Sequence, residues 1–193
     1  MQSVSAILPA SIRSTESVGG KLFRVFAGTL FLTASSWISV PTVPIPITMQ
    51  TYAVIVVGAL LGARLGTLTV LAWLAEAAIG VPVLAHGAAG IGVFFGTTAG
   101  YLFSFPVIAA FTGWIADHKL DRGIFSSLLS MLAANGINLI LGVLWLASVI
   151  GWHRAVVLGF FPFWIGGIAK AFLATATVLS IRKSGRFFTH DPQ

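Results

Sequence analysis

Lys170 stands in the run from Pro162 to Ile181, with Ala, Phe and Leu around it. An ammonium in such surroundings is expensive unless it is paired or lines a wet cavity, so it marks function by default. Two partners are open to it. One is the carboxylate of Glu76; the other is an anionic or carbonyl-bearing ligand, with Glu76 then elsewhere in the pocket. Thr48 and Gln50 end the uncharged loop Pro41-Thr-Val-Pro-Ile-Pro-Ile-Thr-Met-Gln50, where the amide of Gln50 can both donate and accept. The three prolines make this loop either a rigid connector or a stiff apolar lid. His86 sits within the glycine-rich stretch Gly80 to Gly96, as a local hydrogen-bonding group or a ligand contact. Trp73, Tyr101, Phe163 and Trp164 supply aromatic surface, for an interfacial belt or for the walls of an apolar pocket. These groups can hold a small molecule; none of them forms a bond-making pair.

Catalysis has little else to draw on. The chain contains no cysteine, which removes disulfides, thiolate metal sites and thiol nucleophiles. There is no GxxxxGK[ST], so nucleotide energy must come from another subunit, and neither HExxH nor GxSxG occurs. Asp117-His118 has no spaced partner, and intramembrane acids are too few for a proton relay. The chain is expected not to be an enzyme, to carry no metal and to need no cofactor. A net charge of +6 is first explained by membrane topology and anionic lipid, and nucleic acid is not an expected partner.

The elements that position these residues are apolar helices. Of 193 residues, 57% are hydrophobic and only 8% charged, which excludes a soluble globular domain. The expected fold is all-α: an integral membrane bundle of six transmembrane helices. Gly, Pro and charge divide the chain at about Lys21 to Val40, Thr48 to Gly62, Leu65 to Ile79, Thr97 to Ala116, Ile124 to Ile150 and Pro162 to Ile181. The second and third are short and separated by Ala63 and Arg64. Two helices are preferred to one tilted span, because a turn spares Arg64 the bilayer midplane. The broken stretch 80–96 reads as a re-entrant or pocket-lining piece. With a cytoplasmic N-terminus, nine basic residues fall on inner segments and only Arg154 outside, with Lys170 inside the last helix. Both termini are thus expected in the cytoplasm, with the ligand pocket opening outward. Residues 1–20 read as a short cytoplasmic tail, 21–184 as one membrane domain and 185–193 as a basic tail.

Small residues recur every four positions at Gly58, Gly62 and Gly66, at Gly92, Gly96 and Gly100, at Ser126 to Gly142 through Asn138, and at Gly167, Ala171 and Thr175. Such rows allow helices to approach closely and read as packing.

The runs Pro44-Ile-Pro-Ile-Thr-Met-Gln-Thr51, Gly58-Ala-Leu-Leu-Gly-Ala-Arg-Leu-Gly66, Ile79-Gly-Val-Pro-Val-Leu-Ala85 and Gly90-Ile-Gly-Val-Phe-Phe-Gly-Thr-Thr-Ala-Gly-Tyr101 resemble the BioY family. Members are biotin-binding S components of energy-coupling-factor transporters in prokaryotes. The likeness continues through Gly142 to Leu146 and Pro162-Phe163 to Lys170, about Lys21 to Ser184 in all. It implies biotin uptake at the cytoplasmic membrane, with a T component and two ABC ATPase subunits as partners; a stand-alone biotin facilitator is the alternative. Biotin's carboxylate would need a cation, its ureido ring donors and acceptors, and its thioether ring apolar walls, which Lys170, Gln50, Thr48 and the aromatic residues could provide. Two departures stand out. Where the family reads Pro-Gly-Asp before the lysine, this chain has Ile165-Gly166-Gly167, with Glu76 as a possible substitute acid. Where helix one often carries Ala-xxx-Ala, Ala27 is followed by Phe31.

Overall fold

The computed structural model describes residues 18–187, so most of the two tails expected at 1–20 and 185–193 lies outside the described residues. Helix α1 spans Val18–Trp37, earlier at its start than the sequence suggested. A two-stranded hairpin follows, β1 (Ser39–Val40) against β2 (Ile47–Thr48), paired antiparallel with Ser39 opposite Thr48. Then come α2 (Gln50–Ala78), two 3-10 turns at Ala85–Gly87 and Ile91–Phe95, α3 (Ala99–Asp117) and α4 (Ile124–Ile150). The short α5 (Trp152–Ala155) passes through a π-helical turn at Val156–Phe160 into α6 (Phe161–Phe187), which runs beyond Ile181 into the region expected to be a tail. Among the described residues, four helical stretches are long and apolar enough to cross a membrane: Gln50–Ala78, Ala99–Asp117, Ile124–Ile150 and Trp152–Ser184. The chain is a multi-pass membrane protein.

Helix α2 is not a straight rod. Gly62 has φ 80° and ψ 171°, a conformation closed to residues with a Cβ. A Cβ on Gly66 would lie 2.9 Å from Gly58 Cα and 3.2 Å from Val57 O. Positions eight apart on one straight helix are about 12 Å apart, so the chain folds back on itself at Gly62. The reversal comes one residue before the expected turn, and Arg64 is exposed. Gly58 and Gly66 therefore pack the two arms of α2 against each other, and Gly58 also admits α3 at Ala109 and Thr112. Gly113 brings α3 against the same bend: a Cβ there would lie 2.5 Å from Gly62 C. By contrast, nothing lies near Gly92, and only Gly100 of that second series packs closely, beneath Trp145.

The core gathers apolar residues from α2, α3, α4 and α6, among them Val54, Ile55, Trp73, Ile108, Met131 and Val178. Three hydroxyls in α1 bond back to their own helix, among them Thr33 Oγ1 donating to Thr29 O at 2.8 Å and Ser36 Oγ to Leu32 O at 2.6 Å. Back-bonding of this kind lets polar residues sit in an apolar medium.

Candidate functional site

The proline loop is an ordered flap. Its β1–β2 ladder is closed by Met49 N–H donating to Ile38 O at 3.0 Å. Thr42 Oγ1 donates to Ile45 O at 2.5 Å, and Thr97 Oγ1 reaches across from the start of the α3 segment to donate to Pro44 O at 3.1 Å. The Val43–Pro44 peptide is cis. Val43 projects outward, while Ile45 is buried in a cluster with Tyr101, Leu139, Val143, Leu146 and Ala155. The flap thus covers a small cavity at that end of the helices.

Twelve residues line the cavity, including Thr48, Gln50, Thr51, Tyr101, Asn138, Phe163 and Lys170. Thr48 Oγ1 donates to Gln50 Oε1 at 3.1 Å and accepts from Gln50 N–H at 3.3 Å. This pair fixes the amide and leaves its Nε2 as a donor. Ser104 Oγ lies 2.6 Å from Asn138 Oδ1 and 2.7 Å from Tyr101 O, so its single proton serves one of them at a time. Tyr101 donates its hydroxyl to Gly159 O at 2.9 Å in the π-helical turn, which leaves the ring to act as a wall. That ring lies 6.0 Å from Phe163, at 31° between planes. Gly142 sits beneath it, and a Cβ at Gly142 would fall on the Tyr101 ring carbons. The row from Ser126 to Gly142, read from sequence as packing alone, therefore also seats a cavity aromatic and supplies Asn138.

Lys170 reaches the cavity from α6. Among the described residues its ammonium has no ion pair, and no Asp or Glu lines the cavity. The electrostatic character is that of a single cation amid hydroxyls, amides and aromatic faces. Such a site favours an anionic group on an otherwise neutral, partly apolar molecule. The enclosed space is about 40 Å³, of the order of one water molecule, whereas small-molecule sites enclose about 300 Å³ or more. Admission of a ligand larger than water therefore requires the flap or its neighbours to move.

The other sequence candidates lie elsewhere. Glu76 is half-buried on the second arm of α2 and does not line the cavity; it forms no ion pair with Lys170. His86 is exposed, with φ 56°, and its Nε2 lies 3.5 Å from Ser39 Oγ. Trp73 is fully buried behind the cavity: its indole N–H donates to Val83 O at 3.3 Å and its ring lies 6.0 Å from that of Phe105, which does line the cavity. Trp164 is 52% exposed and stacks on Phe160 at 5.7 Å. The stretch 80–96, expected to be re-entrant or to line the pocket, places Val83, Leu84 and Phe94 in the core and contributes no residue to this cavity. Asn138, Thr51 and Thr98 were not singled out as binding groups; an amide in the middle of an apolar helix was the available signal for Asn138.

Comparison with known proteins bears on this geometry. The BioY family model matches residues 10–187. The chain belongs to the BioY family. A probable biotin transporter BioY of Pyrococcus horikoshii is 38% identical over 77% of this chain and 86% of its own length. The biotin transporter BioY of Thermotoga maritima is 33% identical over 84% of this chain and 96% of its own. A crystal structure of the S-component for biotin from an ECF-type ABC transporter superposes with a TM-score of 0.79 at 27% identity, covering 88% of this chain and 94% of that one. The family is one of transporters, not enzymes, and calls for no cofactor.

Proposed function

We propose that this BioY family member captures biotin from the outer face of a prokaryotic cytoplasmic membrane, as the substrate-binding subunit of an energy-coupling-factor importer. The observation that carries the reading is the ammonium of Lys170, without an ion pair among the described residues, in a cavity lined by no carboxylate beneath a proline flap. Biotin presents one carboxylate on a methylene tail, a ureido ring and a thioether ring. Lys170 would hold the carboxylate, Gln50, Thr48 and Asn138 the ureido group, and Tyr101 and Phe163 the apolar body. His86, Glu76, Trp73 and Trp164 take no direct part in this assignment.

In this reading the bundle has six spans, the two arms of α2 counting separately, with both termini in the cytoplasm; the excess of inner basic residues supports that orientation. The flap from Pro41 to Gln50 opens to admit ligand and closes over it. A T component and two ATPases then drive reorientation, since the chain has no nucleotide-binding loop of its own. Calorimetric titration of the purified chain with biotin tests the capture step: saturable binding without ATP is expected, and absence of binding overturns it. Uptake by cells lacking the ATPase genes separates a coupled subunit, which loses rapid import, from a self-sufficient facilitator, which keeps it.

A further inference from the structure

At the end of the molecule away from the flap, the α2 bend, the α3–α4 loop and α6 enclose a cleft of about 730 Å³. Its two acids are already engaged. Asp117 Oδ2 accepts from Ala63 N–H at 3.0 Å. Asp121, almost fully buried, makes a close charge contact of 2.9 Å with Arg182, without a well-aligned hydrogen bond to either oxygen. Arg182 also donates to Ala59 O at 2.9 Å, a carbonyl freed by the break at Gly62. Three further cations line the same cleft: Lys119, Arg122 and Lys183. Among the described residues none of these three pairs with a carboxylate. The cleft therefore carries a local surplus of positive charge contributed by separate elements.

A second feature adjoins it. An apolar groove of about 350 Å³ runs between α1, α2 and α6, walled by Phe23, Phe31, Val56 and Ile181, among others. Leu60 and Leu61 line both the groove and the cleft. A cationic head space continuous with an apolar trough is complementary to a molecule with a phosphate at one end and a hydrocarbon chain at the other. The concentration of basic residues places this end at the inner surface.

We propose that cleft and groove form a binding site for one anionic phospholipid of the inner leaflet, with its phosphate among Lys119, Arg122 and Lys183 and an acyl chain along Leu60 and Leu61. The site is distinct from the flap cavity and independent of what that cavity binds. Scattered interfacial lysines would attract anionic lipid diffusely; a shared wall between charge and trough gives a stoichiometric site.

The test uses the full chain in neutral detergent, with phosphatidylglycerol and phosphatidylcholine of identical acyl chains offered at equal concentration, read by native mass spectrometry and thermal unfolding. One phosphatidylglycerol per chain, retained about tenfold over phosphatidylcholine, is expected, together with a raised Tm. The double variant Arg122→Gln with Lys183→Gln should lose that preference, and Leu60→Trp should weaken retention of both lipids. Equal retention of the two lipids by the unaltered chain overturns the proposal, whatever the variants do. So does an equal Tm rise from inorganic phosphate alone, which would make the cleft a free-anion site. Retained preference in a folded double variant also overturns it.

Discussion

Replacing Lys170 with Met separates a ligand-binding ammonium from a structural one. The side chain lines the flap cavity without an acidic neighbour, so its removal strands no opposite charge. A paired buried lysine would behave differently: truncating one member of such a pair costs about 3–5 kcal/mol, or roughly 6–20 °C in Tm for a chain of this size. Here the ligand-free Lys170→Met protein should unfold at the same temperature as the parent or higher, because an uncompensated charge has been removed from an apolar setting. Affinity for biotin should fall. A hydrogen bond to a charged group contributes about 1.5–3 kcal/mol, which corresponds to a roughly 12- to 150-fold weaker Kd. Repeating both titrations with the primary amide of biotin closes a double-mutant cycle. The amide should bind the parent weakly and bind parent and variant alike, so that the loss is confined to the carboxylate. A variant that unfolds many degrees lower while discriminating acid from amide as the parent does would refute the assignment and return Lys170 to a structural role.

Three further outcomes follow from the packing around the same cavity. Gly142→Ala drives a methyl into the Tyr101 ring; overpacking of about 1–3 kcal/mol should lower Tm and displace the ring, weakening biotin binding in calorimetry, whereas an unaltered Kd would mean the ring is not a ligand wall. Thr97→Val removes the donor that pins the flap at Pro44; loss of about 0.5–1.5 kcal/mol should speed biotin release about two- to tenfold in a stopped-flow chase, and an unchanged rate would show the flap is held by other contacts. His86→Ala and Glu76→Gln lie outside the cavity, so each should bind biotin within about twofold of the parent; a tenfold loss in either would require a cavity larger than the one seen.

Much of this architecture could be read from the chain, and the failures have physical causes. Helix α4 runs from Ile124 to Ile150 as expected because Gly123 and Gly151 bound a predominantly apolar run that holds no charge and no proline. The turn within α2 was placed at Ala63 and Arg64 because charge drew the reading there; the backbone turns at Gly62, the residue able to hold φ 80°. Thr48, Gln50, Tyr101, Phe163 and Lys170 share one cavity: Lys170 was suspected as a cation within an apolar helix, Thr48 and Gln50 as the polar end of an uncharged proline loop, and Tyr101 and Phe163 as aromatic residues of a belt or a pocket wall. Depth along a helix, however, does not give azimuth. Glu76 was linked to Lys170 by opposite charge and similar depth and does not share its cavity, and Asn138 was absorbed into a row of small residues. Tyr101 was read as aromatic surface, for a belt or for a pocket wall; it lines the cavity, and its hydroxyl is taken up by the Gly159 carbonyl in a π-helical turn that no local motif announces.

Helix α6 carries Lys170 and, twelve residues further on, Arg182, about 18 Å away at helical rise. Both cations are mounted on one stiff rod, the first above the Gln50 end of the hairpin α2 and the second clamped to that hairpin's tip through Ala59. A rigid tilt that draws the lysine toward an incoming carboxylate must therefore also load the clamp at the far side. Occupancy of the flap cavity would thus be felt at the opposite end of the same helix, as a mechanical load on a single arginine.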